Sequence, residues 1–295
     1  MRKTAHDTQE EAPREQRAVQ SVEVGGRLLL AMAEHPAPMT LKDLAAQAGL
    51  PPSRAHPYLV SYGKLGLVQQ EASSGRYALG PAALRIGLTC LFQLDPIKAA
   101  VPVAEALAAA TGQAVALAVW GNFGPTVVRL IEARQPLHVA MRAGTVMSMF
   151  GTATGRAFAG ALPRERLLQA LGGPLGGSNG GNQGAALDGL ASGGPQLALT
   201  PAQLDAERGP AQAELQAHGV TRAAGRPIPG VNAFSAPVRD HEGEVALVIT
   251  MLGHQDHFPS AWSSPMAAAV RDAATQLSAS LGYREPVVAG RRSAR

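Results

Sequence analysis

The 295 residues are enough for two domains with a sizeable core, and a single cysteine, Cys90, excludes an internal disulfide framework and fits a reducing compartment. Apolar residues make up 46% of the chain and aromatics only 4%, so the core has to be built largely from Ala, Leu and Val. A net charge of +4 permits an acidic partner without naming one, and no run of about 18 apolar residues offers a membrane span.

Residues 1–18 open with MRKTAHDTQEEAPREQR, a stretch of mixed charge lacking the apolar segment of a secretory signal. They read as a disordered, solvated arm. Val19 to Glu34 predicts the first helix, with Val22, Leu28, Leu29 and Met32 inward. Gly25 and Gly26 each weaken it by about 1 kcal/mol. Either the helix starts after them or a neighbour packs closely there. Thr40 stands before Leu41, Leu44, Ala45 and Ala48 at helical spacing. Its hydroxyl can cap the free N–H groups, Asp43 puts a carboxylate in the positive first turn, and Gly49 stops the helix. Pro51-Pro52 suits the opening of a second helix running to about Lys64, with Tyr58, Leu59, Tyr62 and Leu65 available for its apolar face. Pro57 lies past the first turn and removes a backbone hydrogen bond. The helix is therefore expected either to begin nearer Arg54 or to kink, leaving Ser53 to His56 as a separate turn. After Gly66, Leu67-Val68 and Tyr77-Ala78-Leu79 flank the turn EASSGR as a two-stranded wing.

Residues 19–80 thus read as a winged helix-turn-helix whose second helix is narrow enough to enter a major groove. Ser53, Arg54 and His56 can reach base edges or phosphates, and Arg76 on the wing can hold the sugar–phosphate backbone. Thr40, Tyr58 and Lys64 complete the candidate DNA contacts. Between residues 17 and 85, seven Lys and Arg stand against four Asp and Glu, a mildly basic balance. A winged helix can also serve protein contacts alone.

Residues 81–95 predict a linker helix with Leu84, Leu88, Leu91 and Phe92 apolar, suited to a rigid connector and a dimer contact. Cys90 within it reads as a small apolar residue on a buried helix face. An Ala-rich helix follows from Ile97 to Thr111, closed by Gly112. The period then changes: strands are predicted over Ala114–Trp120, Thr126–Ile131 and Leu137–Met141. Gly151 to Gly155 opens a helix through Leu162, and its small residues allow a close backbone approach to the sheet or to a ligand. Residues 172–194 are glycine-rich, without a phosphate-loop signature, and predict a flexible loop. Thr200-Pro201 caps a helix to His218, stopped by Gly219, with Leu204 and Leu215 inward. Val220 to Val231 is extended. Strands over Ala233–Val238 and Glu244–Met251 are joined by a hairpin turn, and a closing helix runs from Trp262 to Leu281 with Met266, Val270, Ala274, Leu277 and Leu281 on one face. Residues 284–295 read as a disordered basic tail.

The segments LAAQAGLPPSRAHPYL, LGLVQQ and SGRYALGPAALRIG, then GTATGRAFAGALP and LQAHGVTRAAGRPIPGVNAFSAPVRDHEGEVALVITM, and a final helix ending LGY resemble the isocitrate-lyase-regulator (IclR) family of bacterial transcription regulators. The likeness spans about residues 19–283. It implies an α+β chain: an N-terminal winged helix-turn-helix, a linker helix, and a GAF-like effector-binding domain over residues 96–283. It further implies a homodimer or dimer of dimers on a double-stranded DNA operator, answering a small organic acid or aromatic metabolite and controlling a catabolic operon. Carried over by position, the effector would meet Ala153 and Thr154, Val231 and Ala233, and Ile249 and Met251, with Met149 and Phe150 as part of the wall. Each of these apolar residues also fits ordinary core between sheet and helix. The chain departs from the family at Pro57, where a polar or basic residue is usual, and in the glycine-rich loop. It departs again at Ala223 to Arg226, where acids are usual; Arg226 there can pair with a carboxylate or remain a plain surface arginine.

No G-x-S-x-G, paired-cysteine or H-E-x-x-H pattern occurs, and His254-Gln255-Asp256-His257 reads as a solvated loop rather than a metal site. The expectation is a cytoplasmic regulator, not an enzyme, without cofactor or metal. The rival is a metabolite-binding protein or enzyme with a winged domain that does not bind DNA.

Overall fold

A computed structural model describes residues 18–35, 37–133, 139, 141–172 and 200–285, with the backbone alone described at 170–172. The predicted N-terminal arm, the glycine-rich loop beyond residue 172, most of the strand at 137–141 and the tail beyond residue 285 lie outside the described residues. The chain divides into two units, Met1–Gln93 and Leu94–Arg295.

The first unit comprises α1 (Gln20–Ala33), α2 (Leu41–Gln47), α3 (Pro52–Lys64), β1 (Val68–Gln70), β2 (Tyr77–Leu79) and α4 (Pro81–Gln93). Thr40 caps α2 as its position requires, its Oγ1 accepting from the Asp43 N–H at 3.2 Å and donating to the Asp43 carboxylate at 2.7 Å. α1 runs unbroken through both glycines because of what lies against one of them. The Tyr62 hydroxyl occupies the place a Cβ on Gly25 would take, with the Tyr58 ring beside it, whereas Gly26 faces open space. The inward residues of α1 are Val24, Leu28, Ala31 and Met32; Val22, expected inward, is 69% exposed because it falls outside that stripe. These residues close over Leu44, Ala45, Leu50, Ala55, Leu59, Val68 and Tyr77.

Neither a start nearer Arg54 nor a separate turn at Ser53 to His56 is found. α3 is one helix from Pro52 with Pro57 inside it. Its buried side is Ala55 and Leu59 with half-buried Tyr58 and Tyr62; Leu65 lies beyond the helix and is 65% exposed. Burial, then the neighbouring Tyr58, pushes the Tyr62 hydroxyl above its ordinary pKa. β1 and β2 pair antiparallel, and Met39 bridges to Tyr77, which ties the wing to the segment before α2. α4 has no buried residue, so Leu84, Ile86, Leu88, Leu91 and Phe92 are all exposed. Cys90 is exposed with them, against the expectation of a buried face: α4 lacks cover along its length within its own unit.

The second unit is a five-stranded antiparallel sheet in the order β4-β3-β7-β6-β5, with helices on both faces. Its strands are β3 (Ala114–Gly121), β4 (Gly124–Ile131), β5 (Thr221–Ala224), β6 (Val231–Arg239) and β7 (Val245–His254). α5 (Pro96–Thr111) and α9 (Pro265–Ser280) cover one face. Ala100, Ala104 and Ala108 let α5 approach closely over Val115, Leu117, Phe234, Ile249 and Met251. α6 (Ala153–Ala161), α7 (Arg164–Gly172) and α8 (Pro201–His218) lie on the other face around Ala118, Phe158, Leu162 and Val248. The Asp95 carboxylate caps α5 by accepting from the Ile97 and Lys98 N–H groups, and Thr200 with Gln203 forms a reciprocal capping box on α8. Three elements differ from expectation. The extended stretch after Val220 is a paired strand, β5; α7 is additional; and α9 begins after the Ser264 cap rather than at Trp262. Met141, the end of the expected third strand, is buried outside any strand.

Candidate functional site

Two surfaces bring chemistry-bearing residues together. The first is the outward side of α3. Ser53, Arg54, His56, Pro57, Val60, Ser61 and Lys64 are exposed there, and the helix carries no Asp or Glu. Among the described residues, no hydrogen bond or ion pair engages the side chains of Ser53, Arg54, His56 or Lys64. Thr40 and Tyr58 are placed differently. The Thr40 hydroxyl is occupied by its cap, and Tyr58 is half-buried against α1 beside Gly25. Arg76 is exposed on the wing, and its Nη1 donates to the Pro38 carbonyl at 3.3 Å.

The second is a cavity in the sheet-and-helix unit, about 40 Å³, room for roughly three waters. Its walls come from the N-terminus of α6, from β5 to β7, and from the loop at residues 226–228. Thr152 caps α6 by accepting from the Gly155 N–H at 3.0 Å and donating to the Ser148 carbonyl at 2.8 Å. Gly155 allows this, because a Cβ there would overlap the Ser148 and Met149 carbonyls. The cavity lining is largely apolar, including Met141, Met147, Ile228 and Leu252. Its polar groups are few and directional. Thr154 Oγ1 and Thr250 Oγ1 lie 2.9 Å apart, and Thr250 Oγ1 and Ser235 Oγ 2.7 Å. Three hydroxyls carry three protons and this relay consumes two, so one of the three has a proton to offer. Arg226 lines the mouth, exposed and without a partner among the described residues.

Of the residues placed here by sequence, Ala153, Thr154, Arg226, Val231 and Ala233 line the cavity. Ile249 and Met251 do not. Side chains alternate along a strand, and these two face α5 and α9, while Thr250 and Leu252 face the cavity. Met149 and Phe150 do not line it either: both pack with Trp120 and Phe158 against α6, where the loop backs onto Gly155. Thr152, Thr250 and Leu252 were missed. Thr250 had a signal, as a polar residue inside an otherwise apolar strand.

The remaining polar clusters act in packing. Arg156 pairs with Glu214 at 2.5 Å, and the second Glu214 oxygen accepts from the Arg222 N–H at 3.2 Å. The Arg222 guanidinium lies 4.3 Å over the Trp262 ring, on which His218 stacks at 4.2 Å. Arg164 grips Asp205 through two bonds of 2.8 Å; this hydrogen bonding holds the Asp205 carboxyl below its ordinary pKa and raises that of Arg164. Among the described residues no group of three His, Cys, Asp or Glu is placed to hold a metal ion. No single described helix is long and apolar enough to cross a membrane.

Two family models match the chain: the IclR helix-turn-helix domain over residues 21–72, and the bacterial transcriptional regulator IclR C-terminal domain over residues 89–174. Over 258 residues the chain is 26% identical to the HTH-type transcriptional regulator KipR of Bacillus subtilis, covering 86% of this chain and 94% of that protein. It is 28% identical over 155 residues to the acetate operon repressor of Salmonella typhimurium, covering 52% of this chain and 57% of that one. The crystal structure of Pseudomonas aeruginosa HmgR matches with a TM-score of 0.76 at 31% identity, covering 91% of this chain and all of that one. The matched family models and curated relatives are transcription regulators, not enzymes.

Proposed function

The chain belongs to the IclR family of bacterial transcription regulators, and on that footing we propose that α3 reads a DNA operator while the cavity beside α6 takes a small organic acid that changes the reading. The observation that carries the reading is the outward side of α3: exposed, free of acids, and holding Arg54, His56 and Lys64 without protein partners. Such a surface loses nothing internal when it meets phosphates and base edges. Arg76 on the wing supplies a backbone contact that holds the register.

The cavity supports an effector that is apolar along its length and anionic at one end. Arg226 supplies the cation at the mouth, and the Thr154–Thr250–Ser235 relay supplies a donor or acceptor at the wall. The exposed stripe Leu84, Leu88 and Leu91 on α4 supports assembly with a second copy, as a dimer or a dimer of dimers. The effector changes the reading only by its different affinity for the two arrangements of that assembly. The name of the acetate operon repressor supports control of a catabolic operon, and access to the chromosome requires the cytoplasm.

The test is a gel shift of the full-length protein on the DNA upstream of its own gene, against random duplex, across a salt series. Preferential binding that weakens steeply with salt is expected. The Arg54→Ala variant weakens it further. Equal binding to both duplexes, or none, overturns the reading. A melting-temperature panel of short carboxylic acids tests the effector, which should raise the melting point of the folded protein.

A further inference from the structure

Along the middle of the outward side of α3 run Ser53, Pro57, Val60 and Lys64, spaced i, i+4, i+7 and i+11. Arg54 and Ser61 flank this ridge on one side and His56 on the other, with buried Ala55 and Leu59 opposite. The two central positions, which a helix laid in a groove brings deepest, are therefore apolar. The Pro57 ring is exposed and Val60 is 45% exposed. Pro57 has no N–H to donate, and the nearby Ser61 hydroxyl is turned back onto the Pro57 carbonyl at 3.0 Å. The ridge centre has little hydrogen bonding to offer a base edge.

In the major groove the apolar group a base pair presents is the C5 methyl of thymine. Resting on the assignment of α3 to DNA reading, we propose that Pro57 and Val60 form a methyl-reading spot, so that each half-site carries thymine at its centre. Arg54 and His56 reach the flanking bases or phosphates. A G·C pair at that position offers no methyl, and so leaves the two aliphatic side chains against polar base edges alone. The occupant is duplex DNA rather than an apolar protein surface because positive charge brackets the spot, Arg54 near the start of α3 and Lys64 at its end, and no acid lies on the helix.

The experiment enriches bound sequences from random duplex with the full-length protein. Each thymine of the enriched site is then replaced by deoxyuridine, which removes the methyl group and nothing else. Loss of one methyl contact is expected to weaken binding about three- to fivefold at one or two thymines per half-site. In a second arm, a variant carrying Pro57→Ser and Val60→Ser binds the thymine and deoxyuridine duplexes equally. Both residues are exposed, and serine at position 57 restores a helix N–H, so its melting temperature does not fall. An enriched sequence indifferent to methyl removal overturns the methyl-reading spot alone, as does a methyl effect that persists undiminished in the variant. Failure to enrich any sequence overturns the reading role of α3, and this inference with it.

Discussion

Replacing Thr250 with valine should destabilise the second unit although the two side chains have nearly the same shape. Thr250 is 4% exposed and its Oγ1 is the centre of the relay, 2.9 Å from Thr154 Oγ1 and 2.7 Å from Ser235 Oγ. Those two partners are themselves buried. Valine leaves both facing a methyl group. An orphaned buried hydroxyl costs about 1–3 kcal/mol, and the added methyl returns less than about 1 kcal/mol. With two hydroxyls orphaned, a net loss of about 1–6 kcal/mol follows. Thr250→Ser keeps both bonds and loses one buried methyl, about 1 kcal/mol. Valine thus falls last in the order wild type, serine, valine, where apolar burial alone would place it first. Both tryptophans, Trp120 and Trp262, lie in the second unit, so the fluorescence of urea-treated protein reports its unfolding directly. A valine variant as stable as the serine variant, or more so, refutes the relay as a structural element.

Arg226→Ala should leave the melting point of the unliganded protein unchanged, since the side chain is exposed and unpaired, yet abolish the rise produced by a carboxylic acid; a surviving rise removes Arg226 from the site. Gly25→Ala should cost the winged unit about 1–3 kcal/mol, because the Tyr62 hydroxyl stands where the new methyl must go. Gly26→Ala, with open space before it, should stabilise the same helix by about 0.5–1 kcal/mol, and helical circular dichroism on heating separates the two. Asp205, whose folded pKa is lowered by Arg164, adds stability at neutral pH that is lost as pH falls through that lowered value. The pair is exposed, so the loss is small and screened by salt; melting curves of Asp205→Asn taken from neutral to acid pH at low salt should show a slightly shallower decline than wild type.

What was readable from the chain follows from the range of the interactions involved. The Thr40 cap, the Gly49, Gly112 and Gly219 stops, and the β3–β4 and β6–β7 hairpins depend on residues within a few positions of one another, and each appears where expected. Pro57 misled because local preference argues for a break, whereas Ala55 and Leu59 anchor α3 to the core on both sides of it and the helix continues past it. Cys90 and the apolar residues of α4 misled for the opposite reason. An apolar run records that a surface wants cover, not that its own unit supplies it. The cavity shows the limit most plainly. A strand with one wet face alternates and declares its parity, but β7 is covered by helices on both faces and reads Val-Ala-Leu-Val-Ile-Thr-Met-Leu, with no alternation to follow. Ile249 and Met251 were therefore one residue out of step. The lone polar residue between them carried the missing information. A threonine among buried aliphatics must spend its hydroxyl somewhere, and the side to which Thr250 points is the side on which β6 and α6 offer Ser235 and Thr154. A polar interruption in a doubly covered strand thus marks the face on which a cavity with hydrogen-bonding walls can form, and here it would have selected Thr250 and Leu252 over their neighbours.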